Sequence, residues 1–401
     1  MGVIFRKQKE VYSLGNIKKL TVVGFIAALS SSLVGTIWAV YMDSFLENMA
    51  FVGFLSATLT LVSFLAFFSF IPLMEKFDRA KIYLHALILF AITYILFAIN
   101  TKFYGFIILA FIFTVLTTLR MTSFGIIVRD NSLQDHFSNN EGLIYTFMNM
   151  AWVIGPLISG EVSARFGINL VFVLAAIFLI FAIIIFKLSK IRSPNIKEKL
   201  DGNLIKNFIA FFKSKHRIYA YIMGGGVTLW WSLIYLFIPL YIIRTGLGAT
   251  WVGYFLFTVA MPLMLFEFYF STLAGRLGFK KMFKIGFLIP GIISIICFFL
   301  GNTYIILGLL VLASIGLAMV EPTSEAYFFH TVGEKEVSRF YGPYNTTIEI
   351  NDFIGKMLSA TILMFLPFKY VFLFFGFAMF LFVFLSFRIK NVYEGVDGRK
   401  V

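Results

Sequence analysis

FVGFLSATLT, Phe51 to Thr60, returns two hundred residues later as WVGYFLFTVA, Trp251 to Ala260. A Val-Gly pair between two aromatics is too short to mean much by itself. Its neighbours keep the same register: at an offset of two hundred, Gly24 falls on Gly224, Tyr41 on Tyr241, Tyr104 on Tyr304, Ile154-Gly155 on Ile354-Gly355, and Val171-Phe172 on Val371-Phe372. Raw identity is weak in a chain this rich in Phe, Ile and Leu, so the coincidence of helix ends and basic loops carries more weight. LMEKFDRAK, Leu73 to Lys81, lies over LAGRLGFKK, Leu273 to Lys281. The chain reads as two homologous halves of like orientation, an arrangement that a pseudo-twofold along a membrane normal would relate.

The solvent follows from composition. Of 401 residues 60% are hydrophobic and 13% charged, with mean hydropathy +0.91, more apolar surface than a water-soluble fold can hide. Apolar runs of about 20 residues, enough to cross a hydrocarbon layer of ~30 Å as helix, recur along the chain. Twelve such spans are expected between residues 20 and 387, all helical, since the alternating pattern of a barrel strand is absent. The fold class expected is all-α: twelve transmembrane helices in two pseudo-symmetric six-helix bundles, residues 1–189 and 218–401, joined by a cytoplasmic linker, 190–217. Within that linker the apolar residues between Leu200 and Lys215 alternate with lysines in the manner of an interfacial helix.

Arg6, Lys7, Lys9, Lys18 and Lys19 precede the first span, Lys76, Arg79 and Lys81 follow the second, and Arg276, Lys280 and Lys281 follow the eighth. With the linker, all fall on one side if spans alternate. The positive-inside rule then puts both termini in the cytoplasm, in a multi-pass protein of the cell membrane. The basic amino-terminal tail lacks a small-residue cleavage site and reads as retained. Topology and anionic headgroups account for the net charge of +14 without nucleic acid. Cys297 is the one cysteine, so neither a disulfide framework nor a thiolate metal cluster is expected. His85, His136, His216 and His330 are scattered, and no nucleotide-binding loop is present. Neither enzyme chemistry, nor a cofactor, nor ATP drive is indicated.

Two motifs resemble those of the major facilitator superfamily of secondary transporters, and the resemblance spans nearly the whole chain. The family's loop between helices two and three reads G-x-L-x-D-R-x-G-R-K. In IPLMEKFDRAK, Leu73 takes the Leu, Glu75 the Asp, Lys76 the first Arg, Asp78 the second Gly and Arg79 the next Arg. The second-half copy keeps Leu273, Arg276, Gly278 and Lys280 but has Gly275 where the acid belongs. The resemblance implies that Glu75 docks against the amino end of helix eleven, where the helix dipole favours a carboxylate by ~0.3–1 kcal/mol; a basic turn that only anchors topology is the alternative. In span five Gly155, Pro156 and Gly160 fit the antiporter signature G-x-x-x-G-P-x-x-G-G, with Ala151 and Ser159 in place of two glycines. Proline there removes a helical hydrogen bond and the glycines admit a neighbouring helix. The drug/proton antiporter-like branch is thereby implied.

Charges inside spans are costly, ~2.5–3.5 kcal/mol each at a helix centre unless they meet water or a partner. Helical rise puts Arg120, Glu267, Glu321 and Glu349 in one layer, about 9–12 Å above the cytoplasmic boundary, with Asp352 and Lys356 higher. Arg120 and Glu321 occupy nearly equivalent places in the two halves. They are expected to gate or couple transport, Arg120 pairing with Glu321 or Glu267 in one conformation and parting in the other; a static ion pair is the alternative. Asp352 and Lys356 stand four apart and can neutralise each other, which leaves Glu349 the better proton carrier. Trp38, Tyr41, Trp152, Trp230, Trp231 and Tyr235 are candidate walls of a substrate cavity, suited to an amphipathic or aromatic cation. The expected function is secondary transport by alternating access in a monomer: proton-coupled efflux of a hydrophobic or cationic compound by antiport. The alternative is proton-coupled import of a sugar or other small polar solute, and a receptor or lipid-processing enzyme on the same scaffold is a more distant one.

Overall fold

A computed structural model describes residues 2–132, 137–191, 204–332, 336–390 and 392. The described chain is helical, with no strand among the described residues. In the first half α1 spans Gly2–Leu46, α2 Met49–Lys76, α3 Arg79–Ile99, α4 Phe103–Asn131, α5 Phe137–Phe166 and α6 Ile168–Ser189. A short helix, α7 (Leu204–Phe212), precedes the second half. There α8 (Lys215–Ser232) passes through a π-helical turn, Leu233–Phe237, into α9 (Ile238–Arg244), followed by α10 (Ala249–Leu277), α11 (Phe279–Phe299), α12 (Thr303–Thr331), α13 (Val337–Phe365) and α14 (Lys369–Ser386).

The offset of two hundred survives in the boundaries. Helix α3 begins at 79 and α11 at 279, and both run 21 residues; α4 begins at 103 and α12 at 303, and both run 29. Packing repeats as well. Helix α3 packs on α4 and α6, as α11 packs on α12 and α14. A Cβ on Gly155 would meet Ser32 Oγ at 2.3 Å, and one on Gly355 would meet Ser232 Oγ at 2.3 Å. The same glycine thus lets the same helix pair close up in each half.

Eleven of the described helices or helix runs are long and apolar enough to cross a membrane. Helix α13 is as long as α12, at 29 residues, but falls short in apolarity. Its polar residues, Glu349, Asn351, Asp352 and Lys356 among them, are the reason. The apolar residues facing outward, such as Phe268 at 86% and Leu188 at 75% exposure, suit a lipid solvent.

The chain forms two compact units. One comprises Met1–Phe45, Leu59–Lys199 and Leu247–Tyr254; the other Leu46–Thr58, Leu200–Gly246 and Phe255–Val401. The Val-Gly segments of α2 and α10 are therefore exchanged, and here the opening repeat finds its physical use. In the first unit a Cβ on Gly253 would lie 2.4 Å from Pro156 O and 3.0 Å from Gly160 Cα, so α10 and α5 touch backbone to backbone. In the second unit a Cβ on Gly53 would lie 2.7 Å from Ala360 Cβ. Proline at 156 leaves α5 helical throughout.

Candidate functional site

In the first unit the buried cation is Arg120, on α4, 5% exposed. Its Nη2 donates to Ser31 Oγ of α1 at 3.0 Å, and its guanidinium lies over the Phe90 ring of α3, 5.3 Å from the centroid. Tyr83 and Tyr94 are within Coulombic reach. No carboxylate forms an ion pair with it among the described residues. A hydrogen bond from a charged donor stabilises by ~1.5–3 kcal/mol and a cation-π contact by ~0.5–2, which reduce the ~2.5–3.5 kcal/mol cost of the charge, while the buried Nε has no hydrogen-bond partner among the described residues. Arg120 is thus held inside its own unit by neutral groups.

The second unit concentrates acid. Glu321 of α12 accepts a hydrogen bond from Trp231 Nε1 at 3.1 Å, and Glu267 of α10 is close enough for the two carboxylates to feel each other. Trp231 and Tyr235 rings stand 5.4 Å apart, and Tyr235 is within Coulombic reach of Glu321. The π-helical turn positions this group. Pro239 has no N–H to offer the carbonyl of Tyr235, and the Ile238 N–H instead bonds Leu233 O, five residues back. The residues equivalent to this turn in the first half, 33 to 37, are ordinary α-helix within α1. On α13 Glu349 neighbours Asp352 and Tyr221 electrostatically, while Asp352 and Lys356 form the ion pair that their spacing predicts. Glu267, Glu321, Glu349, Asp352 and Lys356 therefore all belong to the second unit, as do the half-buried Trp231 and Tyr235.

The remaining aromatic candidates divide. Trp230 is fully buried, edge-on to Phe375 at 6.3 Å, and belongs to the packed interior of its unit. Tyr41, 3% exposed, donates to Phe97 O at 3.1 Å inside a cluster with Trp38, Phe45, Phe106 and Phe172. Trp38 is half-buried against Phe113, 4.7 Å between centroids, and Trp152 packs on α1 where a Cβ at Gly35 would meet it at 3.0 Å.

In the loop motif, the Glu75 side chain lies outside the described residues. Lys76 and Arg276 are exposed in the last turns of α2 and α10, and Leu73 is half-buried. Arg79 is the member that finds a strong partner: Nη1 meets Asp130 Oδ2 at 2.6 Å, with side chains 11% and 2% exposed, and Nε donates to Met74 O at 3.1 Å. Asp130, its partner, lies outside the spans and motifs that the sequence singles out. The sequence does carry a signal for it: an acid two residues beyond Val128, where the apolar run of span four ends, level with the arginine that opens span three. Ser31 carried no signal, because only packing brings α1 against Arg120. Among the described residues no cluster of three His, Cys, Asp or Glu could hold a metal ion.

The geometry has relatives. Solved structures share the fold: a peptide transporter POT in complex with sulfate (TM-score 0.74, 11% identity, 94% of this chain and 96% of that one), a POT family transporter in complex with 5-aminolevulinic acid (TM-score 0.75, 14%, 92% and 95%), and the nucleoside transporter NupG (TM-score 0.72, 14%, 94% and 100%). No curated protein matches significantly in sequence. The profile described as Major Facilitator Superfamily matches residues 20–350 and, again, 255–399. With most of the chain inside that match, the protein is a member of the major facilitator superfamily, a non-enzymatic secondary transporter of the membrane.

Proposed function

We propose that this transporter couples protons to the export of a hydrophobic or cationic small molecule, as a monomer in the cell membrane with both termini cytoplasmic. The observation that carries the reading is the group formed by Glu321, Glu267, Trp231 and Tyr235 in the second unit. Two carboxylates beside two aromatic rings attract a cation by charge and by ring quadrupole together. The same carboxylates accept protons, and a group that binds either a proton or a cationic substrate, but not both, exchanges one for the other. Glu349 beside Asp352 offers a second protonation site, and Arg120 a fixed positive charge in the first unit. The motif residues Gly155, Pro156 and Gly160 support the antiport sense, and Leu73, Lys76, Arg79, Arg276 and Gly278 the conformational one.

Proteoliposomes with an imposed pH gradient test this. Lipophilic cations should drive proton movement opposite to their own, and Glu321→Gln should weaken cation binding about ten- to a hundredfold, as loss of one charged contact does. A double variant, Arg120→Gln with Glu321→Gln, that kept full coupled transport would defeat the proposal. A second reading, proton-coupled uptake of a small polar solute, draws on the peptide and nucleoside transporters of like fold. Co-movement of protons with a dipeptide, nucleoside or sugar would favour it.

A further inference from the structure

Helix α7 has three faces, and each meets a different environment. Asn207 and Phe211, 7% and 0% exposed, turn inward. Phe211 packs against Tyr221 of α8 and against Phe328 and Phe340 of α12 and α13, and Arg339 Nε donates to Asn207 Oδ1 at 2.9 Å. The second face is apolar and open, with Ile209 at 56% and Phe212 at 41% exposure. The third carries Lys206, exposed, and beyond the helix end Lys213 and Lys215 are exposed too. Arg217 adds a further tie between this helix and the bundle. Arg217, in the first turn of α8, donates from Nε to Phe211 O at 3.0 Å and from Nη2 to Ala210 O at 2.7 Å, closing the last carbonyls of α7, while its guanidinium lies over the Phe340 ring of α13 at 4.1 Å and reaches Glu336 at 3.9 Å.

We infer that α7 is an anionic-lipid-binding helix, seated at the rim of the second unit, whose occupancy is transmitted to α8 and α13 through Arg217. Its position fits. It stands two residues before α8 and packs on the first turn of α13, so it lies where both helices enter the bilayer. An open strip of Ile209 and Phe212 beside lysines belongs neither in water nor in the acyl core; it matches the boundary, with rings among the first methylenes and ammonium groups at the phosphates. Charge selects the occupant. Three exposed lysines on and beside nine residues, in a chain of net charge +14, match negative headgroups, whereas a zwitterionic surface offers them no net attraction. The coupling is structural: Arg217 at once caps α7, stands in the first turn of α8 and stacks on α13, and α8 carries Trp231. The inference is independent of what the transporter carries.

Amide hydrogen exchange on the full chain in vesicles tests it. Phosphatidylcholine alone is compared with phosphatidylcholine containing about one third phosphatidylglycerol, in both the unchanged protein and Lys206→Gln/Lys213→Gln, whose exposed side chains leave the docked face intact. Amides 204–212 should exchange more slowly in the anionic vesicles, by roughly fivefold for each lysine engaged, and the variant should lose that difference while keeping its exchange in phosphatidylcholine. Arg217→Gln should retain the lipid effect on α7 but abolish any accompanying slowing in the first turns of α8 and α13. Equal exchange in the two lipids overturns the proposal. So does an anionic-lipid effect that survives loss of both lysines, or protection that depends on protein concentration and thus reports a second copy instead of lipid.

Discussion

Where the first unit holds Arg79 against Asp130, the second holds Phe279 against His330, at the same places in the repeat. One is an ion pair 2.6 Å long with its carboxylate 2% exposed; the other is a ring contact 5.5 Å between centroids, with His330 at the surface. The scaffold is the same, and the forces closing α3 on α4 and α11 on α12 at this end differ in kind. A buried pair is not by itself a large stabiliser, but removing one partner strands the other. Asp130→Ala should therefore cost ~3–5 kcal/mol, whereas His330→Ala should cost about 0.5–1.5, the worth of an aromatic pair. Thermal unfolding midpoints in detergent check this, with Arg79→Ala/Asp130→Ala expected to restore part of what either single change loses. Equal shifts for Asp130→Ala and His330→Ala would erase the distinction between the halves.

The exchanged Val-Gly segments sharpen the comparison at the next scale. An added methyl at Gly253 meets a carbonyl at 2.4 Å and a Cα at 3.0 Å, and neither can rotate away. At Gly53 the nearest neighbours are side-chain atoms, the Ala360 methyl at 2.7 Å and the Phe237 ring at 3.1 Å, instead of backbone. Overpacking costs ~1–3 kcal/mol. Gly253→Ala should fall at the upper end of that range and Gly53→Ala at the lower, by the same unfolding measurement. The reverse order would mean that the backbones of α5 and α10 separate more readily than the side-chain contacts around Gly53 give way.

Both comparisons rest on a duplication that was legible because lipid leaves a chain few choices. Apolar runs of spanning length must be helices, and a two-hundred-residue offset in turn positions can be read letter by letter. Even α13 could be read as a span despite Glu349, Asp352 and Lys356, since its twin α5 marked the place. The four-apart spacing of Asp352 and Lys356 foretold their ion pair, because both ends of that contact lie on one helix. What stayed hidden needed two helices at once. Ser31 and Phe90 around Arg120, Asp130 under Arg79, and Phe340 under Arg217 are packing partners brought from 30 to 123 residues away, and nothing local names them. The aromatics show the same limit. Trp230 and Trp231 are adjacent letters, yet one is sealed against Phe375 and the other hydrogen-bonds Glu321, a division set by the rotation of α8 about its axis.

The smallest contrast lies at the start of α3 and α11, where one problem has two solutions. Asp78 takes an extended conformation, φ −63°, and its carboxylate accepts from the N–H groups of Ala80 at 2.9 Å and Lys81 at 3.4 Å. Gly278 turns the chain at φ +86°, ψ 140°, a region closed to side chains, and caps nothing with a side chain. The resemblance that aligned Asp78 with a motif glycine thus set a cap over a turn. Because Asp78 occupies ordinary backbone space, Asp78→Ala should lose about 1 kcal/mol of cap and Asp78→Gly only a few tenths. Gly278→Ala has no cap to lose and acquires backbone strain instead, so it should cost more than Asp78→Gly. Unfolding midpoints of the three variants decide the matter. If Asp78→Gly proves as costly as Gly278→Ala, then the carboxylate at 78 holds more than two amide protons, and the two ends are less alike than their shared register implies.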